Sequence, residues 1–207
     1  MTELRPSCYS IRLKARSATY VTSATDAAGF PPEGAPEFAF AGRSNVGKSS
    51  LINTLVGVPK LARASNTPGR TRLLNWFEVQ PQKGPKVNFV DLPGFGYARV
   101  PREMRDAWRP MVESYLTQRE TLRLVFILVD ARRGVQDEEA ELLEWLIECD
   151  LPACIVMTKS DKLGKSKRKP AALAIKRELG LPRPPIMTSA ETNEGLADLW
   201  RVVHAVL

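Results

Sequence analysis

One octapeptide constrains this chain more than any other stretch: Gly42-Arg43-Ser44-Asn45-Val46-Gly47-Lys48-Ser49, a G-x-x-x-x-G-K-S segment. Glu-Phe-Ala-Phe-Ala at 37–41 precedes it and reads as a buried strand. Ser50-Leu51-Ile52-Asn53-Thr54-Leu55 follows and reads as the opening of a helix. A strand that feeds a helix through such a loop belongs to an α/β unit. The loop's converging N–H groups and the positive end of the helix form an anion site. Gly42 and Gly47 permit the tight turn and the close backbone approach. The run 42–50, Ser50 included, is therefore read as a cradle for the phosphates of a nucleotide. Lys48 supplies a point charge for the β- and γ-phosphates, and the Ser49 hydroxyl can ligate Mg²⁺. The bland alternative is a Gly-rich turn that only ends a strand.

Three later segments choose the nucleotide. Asp91-Leu92-Pro93-Gly94 follows the apolar run 87–90. A carboxylate at the end of a buried strand needs a positive partner. Hydrated Mg²⁺ serves, with Asp91 reaching it through water. Gly94 leaves room for its N–H to touch the γ-phosphate. Thr158-Lys159-Ser160-Asp161 follows the apolar run 153–157. Guanine presents two adjacent donors, N1–H and the 2-amino group, and the Asp161 carboxylate can accept both. Adenine would leave that carboxylate unpaired, a mismatch worth about 10⁴ in discrimination. The aliphatic stem of Lys159 can lie along the base plane. The alternative here is a polar turn. Ser189-Ala190 follows the short strand 185–188, and the small Ala190 would let its N–H approach the guanine O6. GTP and GDP are thus favoured over ATP, and an ATP-dependent small-molecule kinase is disfavoured.

The path of the chain alternates strand and helix, which predicts a parallel α/β sheet with helices on both faces. Strands read at 37–41, 73–80, 87–91, 122–130, 152–158 and 185–188, six in all. Helices read at about 48–56, 103–117, 137–149, 169–179 and 195–206. The linker 81–86 is too short for a crossover helix, so strands 73–80 and 87–91 should pair antiparallel at one edge. Pro110 should kink or split its helix. Helix 137–149 should bury Ala140, Leu143, Leu146 and Ile147. Trp145 and Trp200 read as packing residues, and the lone His204 as structural. Residues 1–35 read as an arm whose 17–23 part adds to a domain of residues 36–207.

The chain has 207 residues, 43% hydrophobic, ample for one core. It lacks an apolar run long enough for a membrane span. Neither a secretory leader nor a lipid-anchor box is expected at its ends. Cys8, Cys149 and Cys154 form no C-x-x-C pair, which fits a reducing cytoplasm. The net charge is +7, which suits an anionic partner. Lys162, Lys165, Lys167, Arg168 and Lys169 crowd into eight residues. They read either as an RNA-phosphate contact or as a solvated loop entering a helix at Pro170. Lys60, Arg63, Arg70 and Arg72 form a second basic set.

The run from Phe40 to Asn53, together with Thr67-Pro68-Gly69-Arg70-Thr71 and Asp91-Leu92-Pro93-Gly94-Phe95-Gly96-Tyr97-Ala98, resembles the EngB-type GTPases. The resemblance spans about residue 18 to the C-terminus. It implies a P-loop GTPase domain with a mostly parallel six-stranded sheet and one antiparallel edge strand. It implies a GTP-switched factor that assists large ribosomal subunit assembly and contacts ribosomal RNA and proteins as a monomer. A GTPase serving a tRNA-modification enzyme is the alternative.

Two loops should respond to the γ-phosphate, 57–72 and 95–99. Thr71 is the first candidate for contact with Mg²⁺ and the γ-phosphate, and Thr67 the second. The catalytic set is Lys48, Thr71 and Gly94. Phe95 stands directly after D-x-x-G, where many small GTPases carry a water-orienting glutamine. Hydrolysis should therefore be slow and in need of help. In related GTPases an asparagine at the position of Asn45 binds K⁺; the alternative is a turn-stabilising residue.

Overall fold

The computed structural model describes residues 15–62, 73–94 and 102–207, with helix 102–118 described by its backbone alone as far as 109. Seven strands form one sheet: β1 (Ala15–Ala24), β2 (Glu37–Gly42), β3 (Leu74–Pro81), β4 (Val87–Asp91), β5 (Leu122–Asp130), β6 (Ala153–Thr158) and β7 (Ile186–Met187). Their order is β1-β3-β4-β2-β5-β6-β7. Five helices accompany them: α1 (Lys48–Val56), α2 (Arg102–Gln118), α3 (Asp137–Glu148), α4 (Lys165–Glu178) and α5 (Leu196–Ala205).

Strand periodicity divides β2 between two cores. Phe38 and Phe40 face one way and pack with Leu51 and Leu55 of α1 and with Leu199 and Trp200 of α5. Ala39 and Ala41 face the other way, among Met111 and Tyr115 of α2, Leu143 and Leu146 of α3 and Ile175 of α4. Both faces of β2 are covered, so all six of its residues are buried. The strand turns into the phosphate loop where its neighbours β4 and β5 also end. Ligands of open α/β sheets bind at such carboxyl ends.

Several expectations change. The sheet has seven strands rather than six. β3 does pair antiparallel with β4, but it is not the edge, because β1 pairs antiparallel along its other side. β3 is thus the one reversed strand, flanked on both sides. α2 runs unbroken through Pro110, since Met111, Tyr115 and Leu116 are buried against the sheet. α4 begins at Lys165, so Pro170 lies inside the helix and not at its first turn. Lys165, Lys167, Arg168 and Lys169 therefore ride on the helix and not on a loop, while Lys162 lies in the 3-10 turn before it. Ile147 is 66% exposed, outside the buried stripe of α3. Trp200 is buried and donates Nε1–H to the Leu55 carbonyl at 3.2 Å, while Trp145 is partly buried. His204 lies over Trp200, with ring centroids 5.9 Å apart.

Far from the carboxyl ends, Glu37 is fully buried at the start of β2. It accepts from both Nε and Nη2 of Arg119 at 3.0 and 2.7 Å, from Tyr115 Oη at 3.0 Å and from Trp76 Nε1 at 3.4 Å. A buried carboxylate is tolerated when it is paired and its lone pairs are filled. The network ties the end of α2 to the sheet.

Candidate functional site

The phosphate loop is shaped by backbone that side chains would obstruct. A Cβ on Gly42 would lie 3.0 Å from the Leu128 carbonyl oxygen and from a Val46 methyl. Asn45 takes φ 62°, a left-handed conformation that asparagine tolerates better than most residues. Gly47 has φ 107° and provides no side-chain cap for α1. The first-turn N–H groups of α1 are thereby left to a ligand or to water. Lys48 and Ser49 open that helix, and Ser50 is exposed beside them.

Lys48 is buried, and its Nζ contacts Asp91 Oδ1. Asp91 ends β4 and is itself buried. Each charge is the other's partner. Gly94 backs onto the loop, and a Cβ there would come within 2.7 Å of Ser44 Oγ. Ser49, in the first turn of α1, and Asp91, at the carboxyl end of β4, are hard oxygen donors of the kind Mg²⁺ takes. Thr71, Thr67, Arg63, Arg70, Arg72 and 95–99 lie outside the described residues. So does Cys8.

The base side is assembled differently. Thr158 Oγ1 donates to the Val46 carbonyl at 2.7 Å and sits 3.2 Å from that of Val129. One hydroxyl joins the end of β6 to the phosphate loop. Lys159 takes φ 56° and extends along Gly47, its Cε 3.5 Å from where a Cβ on that glycine would lie. Its Nζ donates to the Asn45 carbonyl and, at 2.9 Å, to Asp130 Oδ2. Asp161 sits in the single 3-10 turn Ser160–Lys162. Ser189 Oγ donates to its Oδ1 at 2.6 Å, and Lys162 Nζ lies 3.1 Å from its Oδ2. The Ser189 hydrogen bond, joined by Lys162, holds the Asp161 carboxyl below the usual carboxylate range. Ser189 Oγ also accepts from Thr192 N at 3.1 Å, which fixes the turn around Ala190.

Lys165, Lys167 and Lys169 are exposed in the first turns of α4. Arg168 is not like them. It donates to Glu194 Oε2 at 2.8 Å and to the Leu163 carbonyl at 3.1 Å. Glu194 also accepts from Ser160 Oγ at 3.0 Å. Arg168 therefore braces the loop that carries Ser189.

Asp130, Arg132 and Glu194 were missed from the sequence. Asp130 ends an apolar strand just as Asp91 does, and that same signal could have found it. Glu194 lies 26 positions from Arg168, and no local pattern links the two.

Residues 37–159 match the family model described as "50S ribosome-binding GTPase". The chain is 46% identical to the probable GTP-binding protein EngB of Syntrophus aciditrophicus, over 88% of this chain and 91% of that one. It is 47% identical to that of Syntrophotalea carbinolica, over 94% and 93% respectively. Among solved structures, a probable GTP-binding protein engB superposes with TM-score 0.65 at 24% identity, covering 82% of this chain and 97% of that chain. Era in complex with MgGDPNP and a fragment of 16S ribosomal RNA superposes with TM-score 0.71 at 23% identity, covering 84% of this chain and 57% of that one. At such identities the superpositions speak for the fold alone.

Proposed function

The chain belongs to the EngB family of P-loop GTP-binding proteins, and from that premise we propose that it is a slow GTPase acting as a nucleotide-switched assembly factor for the large ribosomal subunit. The observation that carries the nucleotide half of this reading is the convergence of Lys48, Asp91 and Lys159 on one loop, 42–49, with Asp161 held by Ser189 two positions after Lys159. Ser49 and Asp91, with Thr71, would hold Mg²⁺, which supplies charge neutralisation at the β- and γ-phosphates. Lys48 would exchange Asp91 for the phosphates as nucleotide enters, and Asp91 would then be free to reach Mg²⁺ through water. Asp161, oriented by Ser189, accepts N1–H and the 2-amino group of guanine. The Ala190 N–H meets O6.

Hydrolysis positions water without help from the residue after Gly94, because Phe95 lacks a polar group. Turnover is slow until a partner or K⁺ assists. Asn45 is the proposed K⁺ residue, at the bend of the loop. The γ-phosphate would act through Thr71 and Gly94 on the segments 57–72 and 95–99, which are proposed to meet the ribosomal particle.

For the partner half, the support is the family model's description and the placement of three exposed lysines at the N-terminal end of α4. Cations there oppose the helix dipole, and α4 has no acidic residue in its first turn to offset them. Phosphates of ribosomal RNA would relieve that repulsion. The protein is proposed to work as a monomer in the cytoplasm; among the described residues no helix is long and apolar enough to cross a membrane. The test is sedimentation of cell extract with GTP, GDP or no nucleotide. Co-migration with the large subunit or its precursor in GTP alone is expected. Equal migration in all three conditions would remove the switch.

A further inference from the structure

We propose that Asp130 and Arg132 form a clamp that positions Lys159 for the guanine base before nucleotide arrives. The proposal rests on the reading of 158–161 as the guanine site. Asp130 is the last residue of β5 and the register partner of Thr158 in β6. Its side chain is 8% exposed. Oδ1 accepts from Arg132 Nε and from the Arg132 backbone N–H, each at 3.0 Å. Oδ2 accepts from Arg132 Nη2 at 2.7 Å and from Lys159 Nζ at 2.9 Å. The guanidinium grips both oxygens, a geometry that fixes the carboxylate plane. The turn beneath is tied by Arg133 N and Gly134 N, which donate to the Asp130 carbonyl at 2.9 and 3.1 Å.

Lys159 is thus held between two acceptors on separate elements, the Asn45 carbonyl of the phosphate loop and the Asp130 carboxylate of β5. A free lysine side chain carries about 2 kcal/mol of rotamer entropy. Fixing it during folding removes that cost from binding. Burial works to raise the Asp130 pKa, but the hydrogen bonds from Arg132 and Lys159 outweigh it and hold the group far below the usual carboxylate range. The Asp130 carboxylate is therefore ionised throughout the neutral range, as the Arg132 and Lys159 contacts require. The partners of the Asp130 carboxylate are Arg132 and Lys159. It acts through Lys159 and is a positioning residue.

The experiment is a double-mutant cycle on GDP affinity and dissociation rate, with Asp130→Ala, Lys159→Met and the double variant. Asp130→Ala is expected to weaken GDP binding about tenfold, the scale of a hydrogen bond to a charged group, mostly through faster dissociation. In the Lys159→Met background the same change should alter affinity less than about twofold, because the clamp no longer has a lysine to hold. A general structural role would not give this pattern; it would weaken binding by the same factor in both backgrounds. Equal factors, or no effect of Asp130→Ala alone, overturn the clamp. Should Asp130→Ala fail to fold, Asp130→Asn keeps the shape and completes the same cycle. Asp161→Asn, tested with GDP and with xanthosine diphosphate, separates the two readings. A preserved preference for GDP overturns the guanine assignment; a switch to the xanthine nucleotide together with equal factors overturns the clamp alone.

Discussion

The two halves of the nucleotide site are built to different degrees. On the base side, Thr158, Lys159, Asp161 and Ser189 all have fixed partners that leave the site's shape intact. On the phosphate side, Lys48 and Asp91 are buried against each other, and neither charge has another partner among its described hydrogen bonds. On the proposed reading, nucleotide would dock its base on a preset surface but would have to break an ion pair to seat its phosphates. The contrast follows from burial. The Asp161 side chain is 13% exposed and has Ser189 and Lys162 as partners, whereas the two charges at the floor of the loop have each other as their described partners.

The strongest way to break the comparison is to rewrite the preset side. Asp161→Asn exchanges a double acceptor for one acceptor and one donor. GTP affinity should fall by about 10⁴, the scale at which a site rejects a ligand that leaves its buried polar groups unpaired. Xanthosine triphosphate, with a carbonyl at C2, should recover most of it. Competition binding with both nucleotides reads the result. An unchanged GTP affinity would show that the base edge is read elsewhere.

Next comes the exchangeable side. Lys48→Met leaves the Asp91 carboxylate buried without its cation, and breaking a buried pair from one side costs about 3–5 kcal/mol. Denaturant unfolding without nucleotide should show that loss. Adding Asp91→Asn should restore part of it, since an amide costs less to bury than an unpaired charge. GTP hydrolysis should be lost in both variants. Full stability in Lys48→Met would mean that the pair contributes nothing to the free protein, and the contrast between the halves would collapse.

How much of this was legible in the sequence follows the range of the interactions. The loop 42–49, Asp91 and Asp161 were legible because each sits at a strand end, and the chemistry needs only a strand, a turn and a helix start. β1 was not. Of its ten residues only Ala18 and Ala24 are buried, so no apolar alternation marks it as a strand. Its pairing with β3 makes it one, and two register shifts interrupt even that. Linker length gave the β3–β4 hairpin correctly but could not reveal what lay beyond β3. Pro170 misplaced the start of α4, because it was read as a first-turn residue, whereas it is the sixth residue of the helix and has no N–H to give the Ser166 carbonyl. Asp130, Arg132, Arg168 and Glu194 act through partners that only the fold brings together.

A moderate effect would sharpen the boundary between the halves. Thr158→Val keeps the volume and removes the hydroxyl that joins β6 to the phosphate loop. The Val46 carbonyl loses its 2.7 Å donor in a buried setting. Stability should fall by about 1–3 kcal/mol. Nucleotide affinity should fall by a similar factor for GTP and for xanthosine triphosphate, because the loop shifts and not the base edge. A loss confined to GTP would assign Thr158 to base recognition.

The smallest expected effect concerns the cations outside both halves. Lys165, Lys167 and Lys169 are exposed, while Arg168 is held by Glu194. Replacing the three lysines with glutamine should leave GTP affinity unchanged, since Lys159 and Asp161 keep their partners. It should raise the melting temperature slightly at low salt, because three charges leave the positive end of α4. High salt should erase that gain by screening. Binding to the large ribosomal subunit should weaken and depend less steeply on salt, because fewer counterions are released. Arg168→Gln should behave in the opposite way. It frees Glu194 and loosens the loop at Ser189, so GTP affinity should drop while the salt dependence of subunit binding stays nearly the same. If both variants gave one common pattern, the division between a bracing arginine and a contacting set of lysines would be wrong, and the basic stretch would act as a single surface.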